Sequence, residues 1–231
     1  MWGLFDYAIL MELNAVSIVL RIILSLLIGG ILGIERGRKR HPAGFRTYML
    51  VCLGATMAMM TNQFVIEQFG SGDPTRLGAQ VISGIGFLGA GTIIVTRNSQ
   101  VKGLTTAAGL WTAACLGLAI GIGFYEGAIL VGFSVYLIMT VFQRIDNWLI
   151  ENSKHMSFYL SFETTEHMDY FMEFCHKENL QVQNIEMGKN KVPQDSGIFV
   201  VVMLKSAKRL RRPELIQKLN MLEGLKHIEE L

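Results

Sequence analysis

The chain has 231 residues, of which 51% are apolar and 17% charged, and its net charge of +2 says little because the position of the charges matters more. All but three of the 24 glycines precede residue 150, so the front of the chain is membrane-like in composition and the rear is not. The three cysteines, Cys52, Cys115 and Cys175, lack a Cys-x-x-Cys spacing, which favours free thiols over a disulfide or a metal site.

Five apolar segments, each near the length that crosses a bilayer as a helix, occupy the first 145 residues. Basic residues concentrate in the loops after the first, third and fifth segments, whereas the other loops are mostly acidic. By the positive-inside rule, the N-terminus faces outward and the C-terminus faces the cytoplasm. Residues 1–145 are therefore predicted to form a multi-pass transmembrane domain with helices at Val16–Ile34, Thr47–Ile66, Leu77–Val95, Leu104–Phe124 and Gly127–Phe142.

Glycine marks the predicted packing surfaces of these helices. The third segment contains neither charge nor proline but has four glycines near its centre, and the first contains a Gly-x-x-x-Gly spacing. Small residues let neighbouring helix backbones approach closely in lipid. A tryptophan inside the fourth segment is predicted to pack against glycines of a neighbouring helix. The helix-packing residues predicted in this way are Gly29, Gly33, Gly84, Gly86, Gly89, Gly91 and Trp111.

Polar residues lead into the third segment. Asp73 and Arg76 stand at its mouth, and Gln80 and Ser83 continue the polar side at helical spacing. Two interpretations remain open: a cation path with Asp73 as a weak metal ligand, or a structural Asp73–Arg76 ion pair at a helix start. A single carboxylate is a small ligand set for Mg²⁺, so the metal is left unassigned.

The end of the first segment and the loop after it carry further charges. Glu35 and Arg36 stand at the helix–loop junction, where a structural ion pair is expected, and basic residues continue to Arg46. This loop holds its side of the domain in the cytoplasm and can also contact anionic lipid headgroups. Arg21 lies inside the first segment, where it either faces the bundle or extends to the outer interface.

Nothing in the sequence indicates an enzyme. The pattern Gly84-x-Gly86-x-x-Gly89 matches a dinucleotide fingerprint, but it lies within a membrane-length apolar run instead of between a strand and a helix. A phosphate-binding Gly-x-x-x-x-Gly-Lys-Ser/Thr loop is missing from the sequence, and no nucleophile–base pair is evident. We therefore expect neither catalysis nor a cofactor.

The composition after Arg144 is that of a small soluble domain. Residues 146–155 are predicted to be a linker helix, and residues 156–231 a cytoplasmic domain. Alternating and helical apolar patterns predict strands at 156–163, 182–187, 198–204 and 225–228, and helices at 168–177 and 213–222. The resulting β-α-β-β-α-β order is the ferredoxin-like arrangement.

Residues 15–140 resemble the MgtC/SapB family of bacterial membrane proteins. The resemblance implies a multi-pass domain, often followed by an ACT-like domain, in the bacterial inner membrane. It also implies that Asp73, Arg76, Gln80, Glu35, Arg36 and Arg46 occupy motif positions. The motifs are Gly-Ile-Glu-Arg (33–36), Ala-Gly-Phe-Arg-Thr (43–47), Leu-Val-Cys-Leu-Gly (50–54), Asp-Pro-Thr-Arg (73–76), Ala-Gln-Val-Ile-Ser-Gly-Ile-Gly-Phe-Leu-Gly-Ala-Gly (79–91) and Val-Lys-Gly-Leu-Thr-Thr-Ala-Ala-Gly-Leu-Trp (101–111).

Two functions follow from these observations. The first is a non-catalytic membrane protein that regulates ion homeostasis or another membrane protein; the resemblance implies a link to magnesium limitation and a partner such as the F-type ATP synthase or a transporter. The second is a transporter or channel for Mg²⁺ or another cation, with its site at Asp73 and the glycine-rich third helix. Membrane lipid and further copies of the chain are the other expected partners, and nucleic acid is not.

Overall fold

The computed structural model describes residues 8–38, 41–96, 100–189, 198–206 and 212–230. They form two compact units, 1–144 and 145–231. In chain order the elements of the first unit are α1 (Ala8–Met11), α2 (Ala15–Arg38), α3 (Phe45–Phe69), α4 (Arg76–Gly91), β1 (Ile94–Val95), β2 (Val101–Lys102), α5 (Leu104–Gly121), α6 (Tyr125–Leu137) and a π-helical turn (Ile138–Phe142). Helix α7 (Gln143–Asn152) follows across the boundary.

Among the residues that the structure describes, four helices are long and apolar enough to cross a membrane: 15–37, 45–69, 104–121 and 125–146. They correspond to the first, second, fourth and fifth predicted segments. The third prediction, one helix over Leu77–Val95, is wrong at its end, because α4 has 16 residues and stops at Gly91. The β-branched run from Thr92 to Thr96 favours extended backbone, and Ile94–Val95 pairs with Val101–Lys102 in a short antiparallel hairpin.

Glycines set the distances between the helices of the first unit. A Cβ on Gly33 of α2 would lie 2.7 Å from the Phe45 Cα in α3, and one on Gly121 of α5 would lie 2.6 Å from the Thr56 carbonyl oxygen in α3. Only glycine permits such close backbone contact. Helices α2, α3 and α5 therefore form the tightly packed centre of this unit.

Helix α4 runs antiparallel beside α5. A Cβ on Gly78, near the start of α4, would lie 3.8 Å from Leu118 near the end of α5. A Cβ on Gly89, near the end of α4, would lie 3.5 Å from Ala107 near the start of α5. The two helices consequently lie side by side along most of their lengths, although α4 is the shorter.

The second unit is a sheet with helices on one face. Its strands pair antiparallel in the order β4-β5-β3-β6, and alternate strand residues pack against the helices in one hydrophobic core that includes Phe158, Phe171 and Leu219. The elements are β3 (His155–Phe162), α8 (His167–Lys177), β4 (Leu180–Lys189), β5 (Ile198–Ser206), α9 (Arg212–Asn220) and β6 (Leu225–Glu230).

Candidate functional site

Helix α2 buries an unusual polar and small stripe. Ser17, Arg21, Ser25, Gly29 and Gly33 recur every four residues, and all five are buried. Residues four apart lie on one face of a helix. The stripe continues to a second buried arginine, Arg36, which is 3% exposed. Fifteen residues separate the two arginines, so they lie about 22 Å apart along the axis.

The first arginine, Arg21, is fully buried and every one of its five N–H groups donates a hydrogen bond. Its Nε donates to the Tyr125 hydroxyl at 3.1 Å. Its Nη1 donates to Gln63 Oε1 and to the Gly121 carbonyl, both at 2.8 Å. Its Nη2 donates to two carbonyls of α1, which belong to Leu10 at 3.2 Å and Met11 at 2.8 Å.

Gln63 connects this guanidinium to an acidic side chain. While its Oε1 accepts from Arg21, its Nε2 donates to Glu67 Oε1 at 2.8 Å. The amide dipole thus points its oxygen at the cation and its nitrogen at the carboxylate. Of the two interpretations left open for Arg21, the structure shows the one in which it faces the bundle. The roles of Gln63 and Tyr125 were missed in the sequence, since they lie 42 and 104 residues away.

The second arginine lies at the opposite end of α2. Arg36 Nη2 donates to Thr106 Oγ1 in the first turn of α5 at 2.9 Å, and its Nη1 lies 4.0 Å from Glu35 Oε2. The Tyr48 hydroxyl of α3 donates to the Thr106 carbonyl at 3.4 Å. Gly109, one turn further along α5, leaves the space that the Tyr48 hydroxyl and Met139 of the π-helical turn fill. The cluster therefore joins four helical segments.

The predicted Asp73 site is an exposed turn. Asp73 Oδ1 accepts from the Thr75 backbone N–H at 2.8 Å and from the Thr75 hydroxyl at 2.6 Å. These two bonds hold the pKa of the Asp73 carboxyl below its usual range, and the charge of Arg76 lowers it slightly further. Within the described ranges no ion pair joins Asp73 to Arg76. Asn62, buried on α3, holds the same turn by donating to the Pro74 carbonyl at 2.6 Å.

The other polar candidates do not converge on Asp73. Arg76, Gln80 and Ser83 are exposed along α4, and Arg46 is exposed at the start of α3. Within the residues that the structure describes, no three His, Cys, Asp or Glu side chains come together to hold a metal ion.

The predicted packing residues divide into two groups. Gly29, Gly33 and Gly89 lie close to neighbouring helices. The contacts of Gly33 and Gly89 are described above, and a Cβ on Gly29 would lie 2.9 Å from the Tyr48 carbonyl oxygen. Among the described residues, nothing lies within 4 Å of a Cβ built on Gly84, Gly86 or Gly91, because these three point away from α5. Trp111 is 48% exposed on α5, and its packing against glycines of a neighbouring helix stays a prediction.

Four membrane-length helices, followed by a separate unit of sheet and helices, define this chain as a multi-pass membrane protein. The model of the MgtC family matches residues 22–148. The chain therefore belongs to the MgtC family, as the motifs predicted.

Curated relatives extend this result. YhiD of Escherichia coli (strain K12), which is named as a candidate magnesium transporter, is 34% identical over 169 residues, 70% of this chain and 78% of YhiD. SapB of Bacillus subtilis (strain 168) is 40% identical over 117 residues, 48% of this chain and 50% of SapB. MgtC of Brucella abortus (strain 2308) is 44% identical over 102 residues, 44% of this chain and 41% of that protein. No solved structure matches the chain.

Proposed function

We propose that this protein is a non-catalytic regulatory protein of the bacterial inner membrane, and that it acts by binding a helix of another membrane protein through the outward surface of α4. The magnesium-related name of YhiD supports magnesium homeostasis as the regulated process. The surface of α4 is the observation that carries the proposal.

The outward surface of α4, here called the α4 face, contains a row of small residues. Ala79, Ser83, Gly86 and Ala90 follow one another at helical spacing, and all four are exposed. Beside them lie the uncovered Gly84 and Gly91 and the exposed amide of Gln80. Phe87, 84% exposed, lies among these positions, and the exposed Leu77, Ile82 and Leu88 also belong to α4.

A lipid-facing surface in the same unit looks different. On α6, large apolar side chains such as Leu130 (68% exposed) and Phe133 (60% exposed) face outward. Small residues bury little area against lipid tails but let a second helix approach closely, and amide or hydroxyl groups in lipid gain from a hydrogen-bonding partner. The α4 face therefore suits another protein helix better than lipid.

The length of α4 supports a protein neighbour as well. Sixteen residues of helix span about 24 Å, against about 30 Å of hydrocarbon. If α4 completes a fifth crossing, as we propose, part of the β1–β2 hairpin lies at membrane depth. Non-helical backbone is tolerated there only where protein or water covers it, so a partner on this side covers the hairpin too.

The interior of the bundle favours regulation over cation transport. Arg21 and Arg36 are buried near the two ends of α2, and a buried positive charge raises the electrostatic barrier to a passing cation. The alternative, a cation transporter with a site at Asp73, is favoured by the name of YhiD. Such a transporter would have to bind the cation on the exposed side that runs from Asp73 to Ser83. A second copy of the chain would have to supply further ligands.

The second unit completes the proposed architecture. Its βαββαβ order and β4-β5-β3-β6 sheet suit a ferredoxin-like, ACT-like domain. The basic loops predict that it lies in the cytoplasm, where it can be reached by soluble factors.

Site-specific photocrosslinking in cells tests the partner. A photoreactive residue replaces Ser83 on the α4 face, and in the matched control it replaces Leu130 on α6. We expect protein adducts from position 83 and mainly lipid adducts from position 130. Mass spectrometry then identifies the adduct: a different membrane protein, such as an ATP synthase subunit or a transporter, supports the proposal. Adducts with a second copy alone, or with lipid alone, contradict it.

Cation flux into liposomes separates regulation from transport. Purified wild-type protein and the Asp73→Asn variant are reconstituted side by side, and uptake of Mg²⁺, K⁺ and H⁺ is measured. We expect no flux above empty liposomes for either. Flux that Asp73→Asn abolishes would replace regulation by transport and put Asp73 on the ion path.

A further inference from the structure

An apolar groove, here called the α2–α3 groove, lies between α2 and α3 at the end of the first unit where α2 begins. Its volume is about 380 Å³, and it is lined by Leu13, Ile18, Met57, Met60, Thr61 and Phe64. That volume lies within the range of about 300–1,000 Å³ that is typical of small-molecule sites. Apart from the Thr61 hydroxyl, the side chains of this lining are hydrocarbon or thioether, so the groove suits an apolar ligand.

The packing of α2 against α3 explains the position of the groove. Towards the other end of α2, Gly29 and Gly33 hold the two helix backbones in close contact. Helices that cross at an angle separate away from their point of closest approach. Ile18 lies eleven residues before Gly29, which is about 16 Å along the helix axis. At Ile18 the two helices have therefore separated, and the groove occupies the space between them.

The groove opens towards lipid. Met60 is 4% exposed and lies at its bottom, whereas Met57 and Phe64 are 57% and 55% exposed at its opening. Among the described residues, nothing lies within 4 Å of a Cβ built on Gly54, about one turn before Met57, so the open side reaches the middle of α3. Both helices are long and apolar enough to cross a membrane. The opening therefore faces the hydrocarbon of the bilayer.

An acyl chain is the occupant that this lining and this position favour. A water molecule needs two or more polar partners, and the lining side chains offer a single hydroxyl. An empty groove would lose the dispersion contacts of its lining on one side. Lipid tails are the solvent at this depth, and the two methionines can adapt their shape to a flexible chain. A lipid tail thus fills the groove without burying a polar group.

The charges at the end of the groove favour a particular headgroup. Glu12 directly precedes Leu13, Glu67 follows Phe64 by about one turn, and both glutamates are exposed. Gln63 joins the two segments, since its Nε2 donates to Glu67 Oε1 at 2.8 Å and to the Met11 carbonyl at 3.1 Å. Two carboxylates at this rim attract an ammonium group and repel a headgroup that carries only negative charge.

We propose that the α2–α3 groove binds one acyl chain of a phospholipid whose headgroup carries an ammonium, as in phosphatidylethanolamine, with that headgroup beside Glu12 and Glu67. The site is separate from the α4 face. Helix α4 meets α3 at Met59, whose Sδ lies 3.7 Å from a Cβ built on Gly78, and Met59 is not part of the groove lining. The lipid can therefore stay bound while the α4 face contacts another membrane protein, and the inference does not rest on the proposed function.

Native mass spectrometry of the full-length protein tests the occupant. The protein is purified in mild detergent and mixed with equal amounts of dioleoyl phosphatidylethanolamine and dioleoyl phosphatidylglycerol, and the retained lipid is identified by its mass. We expect one retained lipid per chain, mainly phosphatidylethanolamine. Thr61→Trp fills the opening and should lower retention on the order of tenfold, which corresponds to the lost burial of about two methylene groups. Leu130→Trp, the matched control on the exposed side of α6, should leave retention unchanged.

A charge reversal at the rim tests the headgroup without altering the groove lining. Glu12→Lys should shift the retained lipid from phosphatidylethanolamine towards phosphatidylglycerol. Asp146→Lys makes the same charge change at an exposed position about 30 Å along the helical segment that starts at Tyr125, and should leave the preference unchanged.

Three results would overturn the proposal. They are wild-type lipid retention by Thr61→Trp, an unchanged lipid ratio in Glu12→Lys, and a bound protein or peptide, instead of lipid, that Thr61→Trp displaces. If Thr61→Trp unfolds at a lower temperature than wild type, the lipid ratio of Glu12→Lys decides alone, because that substitution lies outside the groove lining.

Discussion

The network around Arg21 gives the sharpest stability prediction. Arg21→Met retains most of the apolar stem but removes all five hydrogen bonds of the guanidinium. Hydrogen bonds inside membrane proteins average about 0.6 kcal/mol, so five give about 3 kcal/mol. Bonds from a charged donor near the water interface are stronger, about 1.5 kcal/mol or more each. Because the carbonyls on α1 and α5 can recover water after partial relaxation, we expect a loss of about 3–5 kcal/mol.

The assay is reversible unfolding of the reconstituted protein in mixed micelles, followed by circular dichroism. Arg21→Lys preserves the charge but has only three N–H donors for the five acceptors, so its loss should lie between wild type and Arg21→Met. Arg46→Met, which removes an exposed arginine, should change the free energy of unfolding by less than about 0.5 kcal/mol. An Arg21→Met protein within about 1 kcal/mol of wild type would refute the structural role given to this network.

Further predictions concern packing, pH dependence and reactivity. Gly33→Ala should lower the free energy of unfolding by about 1–3 kcal/mol, because the new Cβ would lie 2.7 Å from the backbone of α3. Gly54→Ala, whose Cβ would have nothing described within 4 Å, should be neutral or stabilise by up to about 1 kcal/mol. Unfolding in mixed micelles measures both. Thr75→Val removes the hydroxyl hydrogen bond and should raise the pKa of Asp73, which a carboxyl NMR titration measures. Because the pKa of Asp73 is lowered in the folded protein, the turn is stabilised above the usual aspartate range. This stabilisation is lost as pH falls through the folded pKa. Burial raises the pKa of Cys175 to about 12, so maleimide should modify it at pH 8 only after unfolding; rapid labelling of the folded protein would contradict its burial.

The sequence determined the four long helices and the order of elements in the second unit. Apolar runs of membrane length gave the four long helices, because lipid requires every backbone group to be satisfied within the segment. Alternation along Phe158, Leu160 and Phe162 predicted the central strand whose buried face carries all three. The motifs in the membrane segments were specific enough to identify the family.

Other features depended on contacts that pattern alone does not contain. The apolar run at Leu77–Val95 is uniform in hydrophobicity, yet helix gives way to a hairpin once the β-branched residues after Gly91 can pair with β2. Glycine spacing likewise indicated a packing surface without showing which sides face a neighbour: Gly33 meets α3, whereas Gly84 and its exposed neighbours meet nothing described in this chain.

The two buried arginines show most clearly where sequence information ends. Local spacing places Arg21 on the same face of α2 as Ser25 and Gly29, and that much can be calculated from 3.6 residues per turn. Whether the guanidinium extends to the interface or stays inside depends on acceptors at Gln63, on α1 and at the end of α5. Those acceptors come together only when the helices pack. A buried guanidinium is stable only where its donors are all satisfied, so the tertiary structure decides the position of Arg21.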